Sequence, residues 1–211
     1  MRKGKFIVIE GISGSGQQVK SGLVGLHKVL VENKFDVVEC ANPDSGRVKE
    51  LGMETILNWP FGKDIRADFF LECAVRAEIF KHIVAPALAN DKIVLCKQSS
   101  ISSLANAWVQ GHVRHFDALR ALEKMSRGFL FDEEIYPDLT IFIDVPAEEA
   151  HERIEDVLQI HHEGGIEYYQ QMREFYLNEM SRWRGVRVDA SANRSQDEVI
   201  AEAWSLVQAI L

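Results

Sequence analysis

Apolar residues along the chain follow two alternating periods. Lys5-Phe-Ile-Val-Ile-Glu10 is a continuous β-branched run, the pattern of a strand covered on both faces. A glycine-rich turn follows, and then Val19, Leu23, Leu26 and Leu30 recur at helical offsets, placing one apolar stripe on one face. Phe35 to Cys40 reads as a second strand. From about Asp64 to Asn90 the pattern predicts a long helix carrying Phe69, Ala77, Phe80, Ile83 and Leu88, with Pro86 near its end and Asn90-Asp91 closing it. Ile93 to Cys96, Leu139 to Asp144 and Val186 to Asp189 predict further strands. A last helix is predicted over Ser195 to Leu211, its apolar face at Val199, Ala203, Leu206 and Ile210. Strands alternating with helices imply an α/β fold: a five-stranded parallel sheet with right-handed crossovers, flanked by helices. No repeat, Pro/Ser-rich linker or low-complexity tract interrupts it, so one domain over residues 1–211 is expected.

Composition narrows the class. An apolar fraction of 46% and a charged fraction of 27% exclude disordered and fibrous chains. The formal charge of −8 argues against a broad nucleic-acid footprint, which needs a basic face. Cys40, Cys73 and Cys96 lack C-x-x-C spacing and lie in apolar stretches, as buried reduced thiols do. The apolar run after Met1-Arg2-Lys3-Gly4-Lys5 is too short for a secretory signal, and no stretch is long enough to span a bilayer. A cytoplasmic protein without membrane or nucleic-acid partners is expected.

The candidate chemistry begins at Gly11-Ile-Ser13-Gly14-Ser15-Gly16-Gln17-Gln18, between the first strand and first helix. Its glycine spacing matches the opening of the phosphate-binding pattern G-x-x-x-x-G-K-[ST] in the required context. Such glycines let successive backbone N–H groups turn toward one anion, and the helix start adds partial positive charge. The second half of the pattern is missing. Gln17 stands where a lysine ammonium reaches the phosphates, and Gln18 where a hydroxyl ligates a metal. Taken alone, the loop reads first as a plain glycine turn between a strand and a helix, and only context raises the phosphate-binding reading.

Other segments change its meaning. Gly4-Lys5-Phe6 through Gly11, Ala74-Val-Arg76-Ala-Glu78 with Pro86-Ala-Leu-Ala, Ile93 to Cys96 with Ser102-Ser-Leu-Ala105, and Pro137 to Pro146 with Glu149-Ala and Arg153-Ile stand in one order. Together with the glycine loop, these segments resemble the thymidylate kinase family from end to end. The resemblance implies a P-loop nucleotide-kinase fold, phosphoryl transfer from ATP to dTMP, use of ATP and Mg²⁺, and a homodimer paired through the helix that ends near Pro86. That helix keeps Phe69, Phe80 and Ile83.

Carried over position by position, the family's functional residues mostly fail. Its loop aspartate is Ser13 and its lysine Gln17; the Glu of its Glu-Pro-Gly loop is Asn42. Its Asp-Arg-Tyr triplet reads Lys97-Gln98-Ser99. The thymine-stacking phenylalanine is Glu72, and its Tyr-Gln pair is Asn106-Ala107. Arg76, which the resemblance assigns to the base, is kept. From Ile154 to Met172 no Lys or Arg occurs, while Glu155, Asp156, Glu163 and Glu167 supply negative charge, so the lid cation is missing too.

The expectation is therefore a catalytically inactive or severely impaired member with no catalytic residue and no metal ligand. Gly11, Ser13, Gly14, Ser15, Gly16, Gln17, Gln18 and Lys97 form its candidate phosphate site. Asn42, Glu72, Arg76, Gln98 and Asn106 form a degenerate substrate pocket. Such a chain would bind a nucleotide or inorganic anion, or pair with an intact kinase; an active dTMP kinase using displaced groups is the alternative. Lys97 either supplies the charge that the loop lost or points to solvent. His161-His162-Glu163 has no further ligand at helical spacing, and the scattered Trp59, Trp108, Trp183 and Trp204 read as packing. Glu148, Glu149, Glu152 and Arg153 read as an exposed helix surface.

Overall fold

The computed structural model describes residues 4–15, 23–41, 64–111, 115–128, 134–158 and 165–211. Five parallel strands stand in the order β2-β3-β1-β4-β5: β1 (Lys5–Glu10), β2 (Val37–Ala41), β3 (Ile93–Lys97), β4 (Leu139–Asp144) and β5 (Gly185–Asp189). β1 is central, with Ile9 in register with Lys97 on one side and Ile141 on the other. This position explains its unbroken apolar run: both faces are covered.

Alternate residues of β1 serve two cores. Ile7 and Ile9 pack with Leu26 and Leu30 of α1 (Leu23–Glu32) and with Val199, Ala203 and Val207 of the C-terminal helix. Phe6 and Val8 face the other way, toward Val75, Ile79, Phe80 and Val84. The predicted helix over 64–90 is three pieces: α2 (Ile65–Ile79), a π-helical turn (Phe80–Val84) and α3 (Ala85–Ala89). In the wide turn the Ala85 N–H reaches the Phe80 carbonyl, five residues back, just before Pro86. Asp64 caps the start, and at the far end Asn90 is the cap, followed by Asp91 in the left-handed region at φ 58.

Four helices complete the two layers after β3. They are α4 (Ser100–Gly111), α5 (Phe116–Ser126), α6 (Ala147–Leu158) and α7 (Gly165–Glu179). A 3₁₀ turn (Met180–Trp183) leads into β5, and α8 (Gln196–Gln208) closes the chain with a reciprocal Ser195–Glu198 capping box. Trp183 is buried, Trp204 meets Phe35 edge-on, and the partly exposed Trp108 packs on Phe116 and Phe175; Trp59 lies outside the described residues. The three cysteines are free, Cys40 and Cys96 fully buried and Cys73 half-buried. Among the described residues no helix is long and apolar enough to cross a membrane.

Phe69 and Phe80, two of the residues expected on a dimer face, belong to the protomer's own cores, with 2% and 5% of their surface exposed. Helical phase puts the neighbouring Phe70 outside instead, at 56% exposure. The exposed face of α2 carries Ala67, Phe70, Ala74 and Ala77.

Candidate functional site

The site lies at the C-terminal edge of the sheet, where parallel α/β folds place their ligands. β1 ends in Glu10 and turns through Gly11 to Ser15, closed by the Ser15 N–H to Ile12 carbonyl bond of 3.0 Å. Two glycines are required by space, and Gly14 by its dihedral as well. A Cβ on Gly14, at φ +82, would stand 2.2 Å from the Ala150 carbonyl oxygen of α6, and one on Gly11 would stand 2.9 Å from that of Ile143. The loop is thus wedged between β4 and α6. Ser13 is half-exposed, while the Ser15 hydroxyl is buried and has no hydrogen-bond partner among the described residues. Gly16, Gln17 and Gln18 lie outside the described residues, as does Asn42.

Arg153 corrects the reading of its helix as plain exposed surface. Glu148 and Glu152 are exposed, but Glu149 and Arg153 are half-buried. The Arg153 guanidinium donates to the Gly14 carbonyl at 3.3 Å, to the Ala190 carbonyl at 3.1 Å and to Glu149 at 3.1 Å. One side chain therefore joins the glycine loop, α6 and the segment after β5.

Behind the loop lies a buried carboxylate. Glu10 is fully buried, accepting from the Ser99 N–H at 3.0 Å and from the Ser102 hydroxyl. The Tyr176 hydroxyl of α7 lies 2.8 Å from Ser102 and completes the chain. Burial pushes the Glu10 carboxyl up to about 7, against these hydrogen bonds, which favour its charged form.

The candidate substrate residues stand on α2, on α4 and just after β3. Arg76 on α2 is 1% exposed. Its guanidinium donates to the Ser103 hydroxyl, to the Ser126 hydroxyl at 3.2 Å and to the Ser99 carbonyl at 3.4 Å. Its Nε has no partner among the described residues. Glu72, one turn earlier on α2, is half-buried, and burial pushes its carboxyl up, against the opposing pull of the Ser103 hydroxyl and the Arg76 charge. On α4, Asn106 accepts from the Tyr168 hydroxyl of α7 at 3.3 Å. Gln98 follows β3 at φ 56, its N–H bonded to the Ile9 carbonyl at 2.9 Å. Lys97 is half-buried at the end of β3, in register with Ile9 and so beside the loop.

The structure thus brings Gly11, Ser13, Gly14, Ser15 and Lys97 to one end of the sheet, while Glu72 and Arg76 lie on α2 and Asn106 on α4, two helices joined by the Arg76–Ser103 bond. Sequence reasoning missed Glu10, Ser103, Tyr168 and the role of Arg153. Glu10 carried a readable signal, an acid closing a strand buried on both faces; the others depend on which helices meet.

Next to Ser126, Arg127 is 2% exposed and paired with Glu123 at 2.7 Å and Glu134 at 2.9 Å. Its guanidinium lies over Tyr136 at 4.1 Å and Trp183 at 5.0 Å. Ser126 donates to the Glu123 carbonyl at 2.6 Å, so the Arg76 and Arg127 networks share α5 as their support.

A parallel sheet in the order β2-β3-β1-β4-β5, with a glycine loop after its central strand, defines a P-loop nucleotide-kinase fold. A family model described as thymidylate kinase matches residues 9–202. A thymidylate kinase of Protochlamydia amoebophila is 30% identical over 220 residues, covering 98% of this chain and 93% of that protein. One from Pelotomaculum thermopropionicum is 34% identical, covering 83% of this chain and 79% of its own, and one from Bacillus cytotoxicus is 31% identical over 99% of both. The chain belongs to the thymidylate kinase family.

Mg²⁺, which that membership implies, takes oxygen ligands; Lys97 offers none, and Gln18 by its sequence offers a neutral amide oxygen in place of a hydroxyl. Among the described residues no group of three or more His, Cys, Asp or Glu side chains is placed to hold a metal.

Proposed function

We propose that this chain is a thymidylate-kinase-family protein that binds a nucleotide or phosphate anion and has lost most of its phosphoryl-transfer activity. One contrast carries the reading: the scaffold around the phosphate loop is intact, while the charges that transfer needs are replaced. Phosphoryl transfer asks a protein for positioning and for neutralisation of charge on the moving group. Gly11, Gly14 and the buried Ser15 supply the turn, and Arg153 ties Gly14 down. Gln17, Gln18 and Gln98 supply no charge, and Lys97 stands where a metal-assisting acid would be. Losing one preorganised donor costs about 10²–10³ in rate, and such losses do not multiply. The test is ADP formation from ATP and dTMP; turnover in the ordinary kinase range contradicts the proposal.

A second reading, an active kinase using displaced groups, draws on one observation. The Arg153 guanidinium already lies on the loop, so a cation is within reach of the site. If it carries activity, Arg153→Ala abolishes whatever turnover the wild type shows.

The same chain is proposed to act as a homodimer or beside an intact kinase. The supporting feature is the exposed apolar face of α2, centred on Phe70. Burying one such side chain contributes about 1.5–3 kcal/mol per protomer.

A further inference from the structure

We infer that Glu149 is a positioning residue for the phosphate loop, holding Arg153 in the pose that fixes the Gly14–Ser15 peptide. The inference rests on the reading above that this loop binds an anion.

Glu149 reaches the loop through a second side chain. Its Oε2 accepts from the Ala192 N–H at 2.8 Å and from Arg153 Nη2 at 3.1 Å. The same Nη2 donates to the Ala190 carbonyl at 3.1 Å, so two acceptors pin one end of the guanidinium. Its other end, Nη1, is thereby brought to the Gly14 carbonyl at 3.3 Å. The turn that supplies these anchors is itself fixed. The Ala190 N–H bonds the Asp144 carbonyl at 2.8 Å, and the Ser191 N–H bonds the Asp189 carboxylate at 3.0 Å. Glu149 and Arg153 are one helical turn apart on α6 and share a face.

The effect on the loop passes through one peptide group. Arg153 holds the carbonyl of the Gly14–Ser15 peptide, and the Ile12 carbonyl holds its N–H at 3.0 Å. A planar unit held at both ends has a set orientation, and with it the direction in which the chain leaves Ser15 for the rest of the motif. Glycine at φ +82 has no Cβ to limit its rotation, so the restraint comes from neighbours.

Charge and position predict opposite signs for Glu149. A carboxylate near an anion site repels the anion, so by electrostatics alone its removal strengthens binding. By position its removal weakens binding, because a neutral amide oxygen holds Arg153 and the Ala192 N–H less strongly than a carboxylate does.

The test is calorimetric titration of pyrophosphate into the full chain, without metal and at fixed pH and ionic strength, for wild type, Glu149→Gln and Arg153→Lys. Glu149→Gln should weaken binding about threefold or more, although it removes a negative charge. Arg153→Lys keeps the charge but loses the planar fork, and should weaken binding by a similar factor. Amide exchange separates positioning from a general loss of stability. In both variants it should quicken at Ser15 by a larger factor than at Ile7 in β1. A smaller loss, no change or tighter binding in either variant overturns the inference, as does equal quickening at Ser15 and Ile7. If the wild type binds no pyrophosphate, the anion-binding reading itself falls, and the inference with it.

Discussion

Replacing Glu10 by glutamine removes a fully buried carboxyl while keeping its shape and an acceptor for the Ser99 N–H. In an unfolded chain this carboxyl loses its proton near 4.5, but in the folded protein burial holds the proton until about 7. Between those values the folded state binds the extra proton, so stability falls as pH rises through the interval. The gap corresponds to about 3 kcal/mol, fully retained below pH 4 and gone above pH 8. Glu10→Gln therefore leaves stability near the wild-type value at pH 5 and raises it at pH 8. For a domain of this size the gain at pH 8 is roughly 5–10 °C in Tm. Asp189 and Glu198 work in the opposite direction: their hydrogen bonds hold the carboxyls below the usual range, and their contribution is lost as pH falls. The informative quantity is thus the difference between variant and wild type, followed by thermal melts from pH 5 to pH 8. A difference that does not grow with pH, or a variant destabilised equally throughout, refutes the assignment of a strained charge to Glu10.

Other expectations follow from the same geometry. Arg127→Leu strands Glu123 without its buried partner and should cost about 3–5 kcal/mol, read by urea denaturation. Phe70→Glu should convert a dimer to a monomer at micromolar concentration by light scattering, whereas a monomeric wild type removes the basis for the proposed face. If Lys97 supplies the charge lost from the loop, Lys97→Ala should weaken sulfate or pyrophosphate binding, with little effect of added Mg²⁺. Gly14→Ala should abolish that binding, because the left-handed φ and the Ala150 carbonyl leave a side chain no room.

Much of the fold was legible because β1 and β4 are buried on both faces, so their apolar runs coincide with the strands. The last helix was legible from its apolar repeat, of which Val199 and Ala203 are buried. Helical phase was less legible: Phe69 and Phe70 are adjacent, and only packing against the sheet decides which turns inward. The π turn at Phe80–Val84 also escaped a helical pattern, since the extra residue shifts the phase of the buried face. At the site, the glycine positions followed from the motif. The Arg153–Gly14 bond spans 139 residues and the Arg76–Ser126 bond spans 50, and no spacing along the chain announces either.

The most direct test of the central claim is a coupled ADP-release assay with dTMP, ATP and Mg²⁺, comparing the wild type with Gln17→Lys/Gln18→Ser. The account predicts trace turnover in both, at least about 10³ below the usual kinase range of about 1–100 s⁻¹. The double variant should gain tighter, Mg²⁺-dependent ATP binding alone, since Glu72 and Gln98 still leave the acceptor side without its stack and its arginine. Wild-type turnover within that range would contradict the account outright.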